Sequence, residues 1–175
     1  MPEPVRGRPA AQLMRCTPAH VPRLARIRRT REDWMSARGI VQWPTGSLAE
    51  AEILAQVERG EWFRLVEGSD AADGAAATLR AAARLLEADP EFWGEDEAPA
   101  LYVHGLMVDL AAAGRGLGER LLELAGAEGR RRRRGLLRLD CAPHLVGYYR
   151  RRGFTPVRRT HFPDFTTVLL ERPLT

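Results

Sequence analysis

The stretch Val108-Asp-Leu-Ala-Ala-Ala-Gly-Arg-Gly-Leu-Gly118 decides how this chain is read. The run before it, Leu101 to Val108, is apolar enough to be a buried strand, and an amphipathic helix is predicted from about Leu117. Between them, Gly114, Gly116 and Gly118 let the backbone approach a ligand closely. The first turn of the helix offers unpaired N–H groups at the positive end of its dipole. Phosphate or pyrophosphate suits such a turn. Glycines also serve helix starts and close packing, so the run alone leaves a purely structural turn open.

Two nucleotide-binding arrangements are excluded. A P-loop requires G-x-x-x-x-G-K-[ST], and all 27 basic residues of this chain are arginine. A dinucleotide fingerprint requires glycine three positions after Gly116 or Gly118, where the chain has Glu119 and Leu121.

At 175 residues and 45% hydrophobic content, the chain suits one sizeable core, so a single domain over residues 1–175 is expected, with residues 1–10 as a flexible tail. No apolar run approaches the roughly 20 residues of a membrane span, and the start does not resemble a signal peptide. A cytoplasmic location is the expectation. Cys16 and Cys141 read as free thiols without metal-ligand spacing, and no metal is expected. The formal charge of +4 favours acidic partners. Arg130 to Arg134, however, fall at the expected C-terminal end of a helix, where cations need no partner, so nucleic acid is not the expected one.

Along the chain, Ala11 to Thr17 reads as a strand, and Pro18 to Gly39 as helical through Val21, Leu24, Ile27 and Trp34. Ser47 with Glu50 resembles a capping box opening a helix to Val57. Trp62 to Val66 and Ala75 to Ala83 read as strands around a turn at Ser69 to Gly74. After the glycine loop, Leu117, Leu121, Leu124 and Ala125 share a helix face. Leu136 to Cys141 is a buried strand, Leu145 to Arg151 a short helix, and Thr166 to Leu170 the last strand. This order implies an α/β fold with a mixed sheet, helices on its faces and a right-handed crossover.

The second half resembles the GNAT acetyltransferase superfamily. The resemblance covers residues 100–157 and rests on two ordered motifs: the glycine loop 114–118, and Tyr149-Arg-Arg-Arg-Gly-Phe154, similar to the family's Y-x-x-x-G-F. It implies a mostly antiparallel sheet with splayed central strands and acetyl-CoA as co-substrate. Leu106, Met107 and Val108 then match the strand end that pairs with the pantetheine arm, and Gly114, Arg115, Gly116, Leu117 and Gly118 the pyrophosphate loop. Tyr149 matches the tyrosine that protonates the departing thiolate, while Tyr148 reads as a packing residue. Ala113 departs from the family's Gln or Arg, and Ala142 from a common asparagine.

Acetyl transfer needs a neutral amine, a polarised thioester carbonyl and a proton for the leaving sulfur. A backbone N–H near Val108 is the candidate for polarising the carbonyl. Tyr149 is the candidate acid. His104 and Glu97 are the candidates for the base, followed by Glu95 and Asp96; loss of the proton to solvent before attack is the alternative. Strand alternation puts His104 on the side of Leu106 and Val108. Trp43 and Trp93 are the candidate acceptor-binding residues, with the acidic residues 91–97 attracting a cationic amine. The expected reaction is acetylation of a primary amine on a small molecule or peptide. A non-catalytic acyl-CoA-binding module and an acyltransferase acting on an RNA-borne amine are the alternatives, and the family's frequent dimers leave a homodimer open.

Overall fold

The computed structural model describes residues 10–68 and 78–175. In chain order the elements are β1 (Ala11–Arg15), α1 (Val21–Ser36), α2 (Glu50–Glu58), β2 (Trp62–Glu67), β3 (Ala81–Leu86), the single turn α3 (Pro90–Trp93) and β4 (Ala100–Val108). They continue with α4 (Leu117–Arg131), β5 (Leu136–Cys141), α5 (Val146–Arg150), β6 (Thr155–His161) and β7 (Thr166–Pro173). Among the described residues seven strands form one sheet in the order β1-β2-β3-β4-β5-β7-β6. Every neighbouring pair is antiparallel except β4 and β5, which run parallel across the α4 crossover. This is the mixed, mostly antiparallel sheet that the sequence implies.

Helices cover both faces because each has an apolar stripe at helical spacing. Leu117, Leu121, Leu122 and Ala125 of α4 are buried against Leu101 and Val103 of β4 and Leu137 and Leu139 of β5. Fully burying one such leucine contributes about 2 kcal/mol. On the opposite face Leu24 and Ile27 of α1, with Ile53 and Val57 of α2, enclose Trp62 and Met107. A smaller cluster, Trp93, Ala100, Tyr102 and Leu169, closes the sheet below α3.

Two irregularities of β4 shape the site. Parallel pairing with β5 ends at Val103 opposite Leu139, so the last residues of β4 have no strand on that side. On its other side, Ala82 pairs with Met107 but Arg84 with His104, so Gly105 and Leu106 face the single residue Ala83. This is a β-bulge, made at Gly105 with φ of 57°. A side chain there would stand 3.3 Å from Trp62 Cη2 as well as being strained. The bulge reverses the parity of the strand. Leu106 and Val108 join Leu101 and Val103 on the α4 face, whereas His104 packs with Phe92 on the face of Ala100 and Tyr102. The expectation that His104 shares a side with Leu106 and Val108 is therefore corrected.

Other differences have local causes. Helix α2 starts after Ala49, not at a Ser47 capping box: the Ser47 hydroxyl is 3.4 Å from Glu32 Oε1 and accepts from Arg28 Nη2. The third strand begins at Ala81, and the Ser69 to Gly74 turn, the residues up to Ala77 and the first nine residues of the tail lie outside the described residues. Strand β6 was not expected. It is an exposed edge that carries Pro156, Arg158 and Arg159, with no apolar alternation to announce it.

Candidate active site

The glycine loop folds as an anion cradle. Asp109 caps a short turn at Leu110–Ala112 by accepting from Ala111 N, and the chain then enters α4 through Gly114 and Gly116, at φ of 77° and 73°. Only glycine adopts that region without strain. Among the described residues the N–H groups of Gly114 through Glu119 donate to no protein acceptor. Six adjacent unpaired donors at a helix start have the geometry that suits a phosphate. Gly118 is required for space: a Cβ there would lie 3.2 Å from the Tyr148 hydroxyl and 3.7 Å from Leu106 and Val108 side-chain carbons.

The cradle opens into a cleft of about 730 Å³ that runs between the splayed strands. Asp109 N bonds to Arg80 O at 2.7 Å, which makes Val108 opposite Ala81 a non-hydrogen-bonded pair. The Val108 N–H and C=O therefore face the gap. Arg31 Nε of α1 donates to the carbonyl, leaving the N–H for a ligand. Leu106, Met107, Val108, Gly114, Gly116, Leu117 and Gly118 all line this cleft; Arg115 does not, and its side chain is exposed.

A second cavity, of about 180 Å³, lies on the other side of Leu106 and Tyr149. Both residues line both cavities, as do Gln42 and Trp43 from the α1–α2 loop. That loop is anchored from below. Glu32, 1% exposed, pairs with Arg28 Nε at 2.6 Å and accepts from Gly46 N at 2.8 Å, while the Arg28 guanidinium lies 3.9 Å from the Trp43 ring centre.

His104 lines the smaller cavity and is held by carboxylates on both sides. Its Nε2 is 2.7 Å from Asp89 Oδ2, and its Nδ1 is 3.7 Å from Asp140 Oδ1. Asp140 also accepts from the Thr167 hydroxyl at 2.7 Å. Burial pushes the Asp140 carboxyl above the ordinary carboxylate range, against the opposing influence of His104 and Thr167. Tyr149 is 9% exposed, edge-on to Tyr148 and Phe154 at 5.0 and 5.8 Å, and among the described residues its hydroxyl has no hydrogen-bond partner. Burial raises its pKa, so the phenol keeps its proton through neutral pH.

Not every candidate reaches the site. Trp93 is buried in the Tyr102 cluster under the Arg138 guanidinium and lines neither cavity. Glu97 is exposed in the loop before β4 and lines neither cavity. Asp96 is tied to Arg138 at 2.7 Å. The arginine run is largely neutralised, with Arg131 and Arg132 on Glu128, and Arg132 and Arg134 on Glu87. Both cysteines are buried, their thiols pushed up to about 12.

Sequence reasoning missed Arg31, Asp89, Asp140 and Arg152. Arg152 lines the larger cleft, stacks 3.5 Å from the Tyr148 ring centre and donates to the Tyr148 carbonyl at 2.8 Å; its Nε is buried without a partner. It brings a cation to the cleft whose loop has Ala113 in place of a polar side chain. Its place in the Y-x-x-x-G-F run was the available signal. Asp89 and Asp140 gave none, because only the fold brings them to His104.

A turn of unpaired amides, a splayed strand edge and a buried tyrosine between two cavities give this candidate site the shape for a long, phosphate-bearing acyl donor. Residues 92–165 match the acetyltransferase (GNAT) domain. The chain is 33% identical over 133 residues to an uncharacterized N-acetyltransferase, YesJ, of Bacillus subtilis, covering 70% of this chain and 69% of that protein. In fold it is similar to a GNAT-family acetyltransferase from Listeria monocytogenes, with 20% identity, a TM-score of 0.70 and coverage of 93% and 94%. It is also similar to the protein yncA from Salmonella typhimurium, solved with its cofactor acetyl-CoA, with 16% identity, a TM-score of 0.65 and 95% of each chain covered. The chain belongs to the GNAT family of N-acetyltransferases, whose acyl donor is acetyl-CoA.

Proposed function

We propose that this protein transfers the acetyl group of acetyl-CoA to a primary amine on a small molecule or peptide, by direct attack of the amine on the thioester. The observation that carries this reading is the meeting of two cavities at Leu106 and Tyr149: a long one ending in the amide cradle, and a short one lined by His104 and Asp140.

The residues fit the donor. The amides of Gly114 to Glu119 hold its pyrophosphate, with Arg152 as a nearby cation, and the free edge of Leu106 to Val108 holds the pantetheine arm. Bound acetyl-CoA supplies the thioester that the amine attacks. The Val108 N–H is the donor available to polarise the carbonyl. In its neutral form His104 donates Nε2–H to Asp89, which leaves the Nδ1 lone pair to take the amine's proton. Tyr149 supplies a proton to the departing sulfur. Trp43 and Gln42 wall the junction of the two cavities.

Thermal unfolding with excess acetyl-CoA, against NADH and ATP as controls, followed by amine-dependent release of CoA, tests the reading. A ligand that binds only the folded state raises the midpoint. A rise with acetyl-CoA alone and amine-dependent CoA release are expected. Absence of both would overturn it.

A further inference from the structure

This inference rests on the acetyl-transfer reading and concerns which amine the smaller cavity accepts. The chain has 27 arginines, and among the described residues none lines that cavity. Its walls are aromatic, from Trp43, Phe92 and Phe165, and its polar end is His104, Asp140 and Thr167. The charges acting on Asp140 are those of His104 and Asp89.

At that end two acceptors have no donor on a neighbouring residue, the Asp140 carboxylate being otherwise served by its own backbone N–H. Asp140 Oδ2 takes the Thr167 hydroxyl and His104 Nε2 is engaged with Asp89, both at 2.7 Å. Asp140 Oδ1 and His104 Nδ1 are 3.7 Å apart, beyond hydrogen-bond reach, and neither receives a hydrogen bond from another residue among the described ones. With the proton of neutral His104 on Nε2, both free atoms are acceptors facing one another. An ammonium group, with three donors, satisfies both and meets aromatic faces that favour a cation. A carboxylate on the amine-bearing carbon would instead enter beside Asp140 with no arginine to pair it, and like charges so placed are strongly disfavoured.

We propose that Asp140 and His104 form an ammonium site that selects compact acceptors with no carboxylate on the carbon bearing the amine. Alkylamines and amines flanked by a neutral amide are accepted; free α-amino acids are excluded. Asp140 is the specificity-determining residue, and the proton acceptor remains His104.

The test uses three acceptors of one carbon skeleton: butylamine, norvalinamide and norvaline, which carry hydrogen, carboxamide and carboxylate at the same carbon. Binding is measured by calorimetry on the full chain saturated with CoA, which fills the donor cleft but has no acetyl group to give. Transfer is measured separately with acetyl-CoA. Butylamine and norvalinamide are expected to bind, with norvaline weaker by roughly thirtyfold or more. Asp140→Asn is expected to weaken butylamine roughly tenfold and narrow that discrimination, with the thermal shift from CoA retained. If that variant does not fold, the wild-type series decides. Norvaline bound within threefold of butylamine, or no binding of butylamine, would overturn the proposal. Transfer to norvaline as fast as to butylamine overturns the ammonium site and leaves the acetyltransferase standing; selective binding of butylamine without transfer does the reverse.

Discussion

His104 Nε2 lies 2.7 Å from Asp89 Oδ2, a contact between β4 and the start of α3 that fixes which imidazole nitrogen faces the acceptor cavity. The contact gives His104 a defined tautomer with Nδ1 left open toward the cavity, the geometry a proton acceptor needs. His104→Ala is expected to lower kcat by roughly a hundredfold, with KM for acetyl-CoA unchanged and partial rescue by added imidazole. Asp89→Asn, which keeps the shape but loses the charge, should lower kcat by less. Steady-state kinetics with varied acetyl-CoA separate these outcomes. An unchanged kcat in His104→Ala would leave deprotonation to solvent.

Tyr149→Phe keeps the ring packed edge-on to Tyr148 and Phe154 and removes only the hydroxyl. The thermal shift with acetyl-CoA should persist while turnover falls by more than roughly tenfold. Equal turnover in the variant would remove Tyr149 from the acid role.

Gly116 sits at the helix start with φ of 73°. Gly116→Val forces a β-branched residue into the left-handed region, at about 1–2 kcal/mol, a strain that displaces the amides of this turn. Titration by calorimetry should register no acetyl-CoA binding, with the fold retained by circular dichroism. Wild-type affinity would mean that the amides of this loop do not hold the donor.

Glu32 anchors the loop that presents Gln42 and Trp43. Glu32→Gln removes the hydrogen-bonded counter-charge of the buried Arg28 guanidinium and leaves Glu52 as the carboxylate still acting on it, so a loss of about 3 kcal/mol in urea unfolding is expected. Because Gly46 and Trp43 lose their support, KM for the acceptor should rise more than KM for acetyl-CoA. A larger rise for acetyl-CoA would assign this loop to the donor.

Hydrogen bonds from Arg131 and Arg132 hold the Glu128 carboxylate well below its ordinary 4.5, at about 2. A carboxylate whose pKa is depressed by folding contributes stability above the unfolded value and loses it as pH falls through the folded one. The contribution of Glu128 should therefore be complete above pH 4.5 and disappear between there and pH 2. Acid unfolding of Glu128→Gln beside the wild type should show curves that converge across that window; a constant difference at all pH values would contradict the assignment.

What could be read beforehand follows from where the signals are local. Leu136–Cys141 was readable because Leu137, Leu139 and Cys141 alternate with Arg138 and Asp140 at strand spacing, and the 114–118 loop because the positive φ at Gly114 and Gly116 demands glycine. Strand β6 was not, since an exposed edge with two adjacent arginines resembles a loop. His104 was placed on the wrong face because one bulge residue, Gly105, inverts alternation, and a bulge is decided by what packs on it, here Trp62. Trp93 and Trp43 are equivalent in composition; one is enclosed by Tyr102 and Arg138, the other lies on a cavity wall, and only the tertiary fold distinguishes them.

The most direct test of acetyl transfer is to incubate the full chain with acetyl-CoA and butylamine and follow both products, free CoA by thiol titration and N-acetylbutylamine by mass spectrometry. Equal amounts of the two, formed only with active protein and reduced in Tyr149→Phe, are predicted. CoA release without acetylated amine, or no release from protein whose unfolding midpoint rises with acetyl-CoA, would contradict the account.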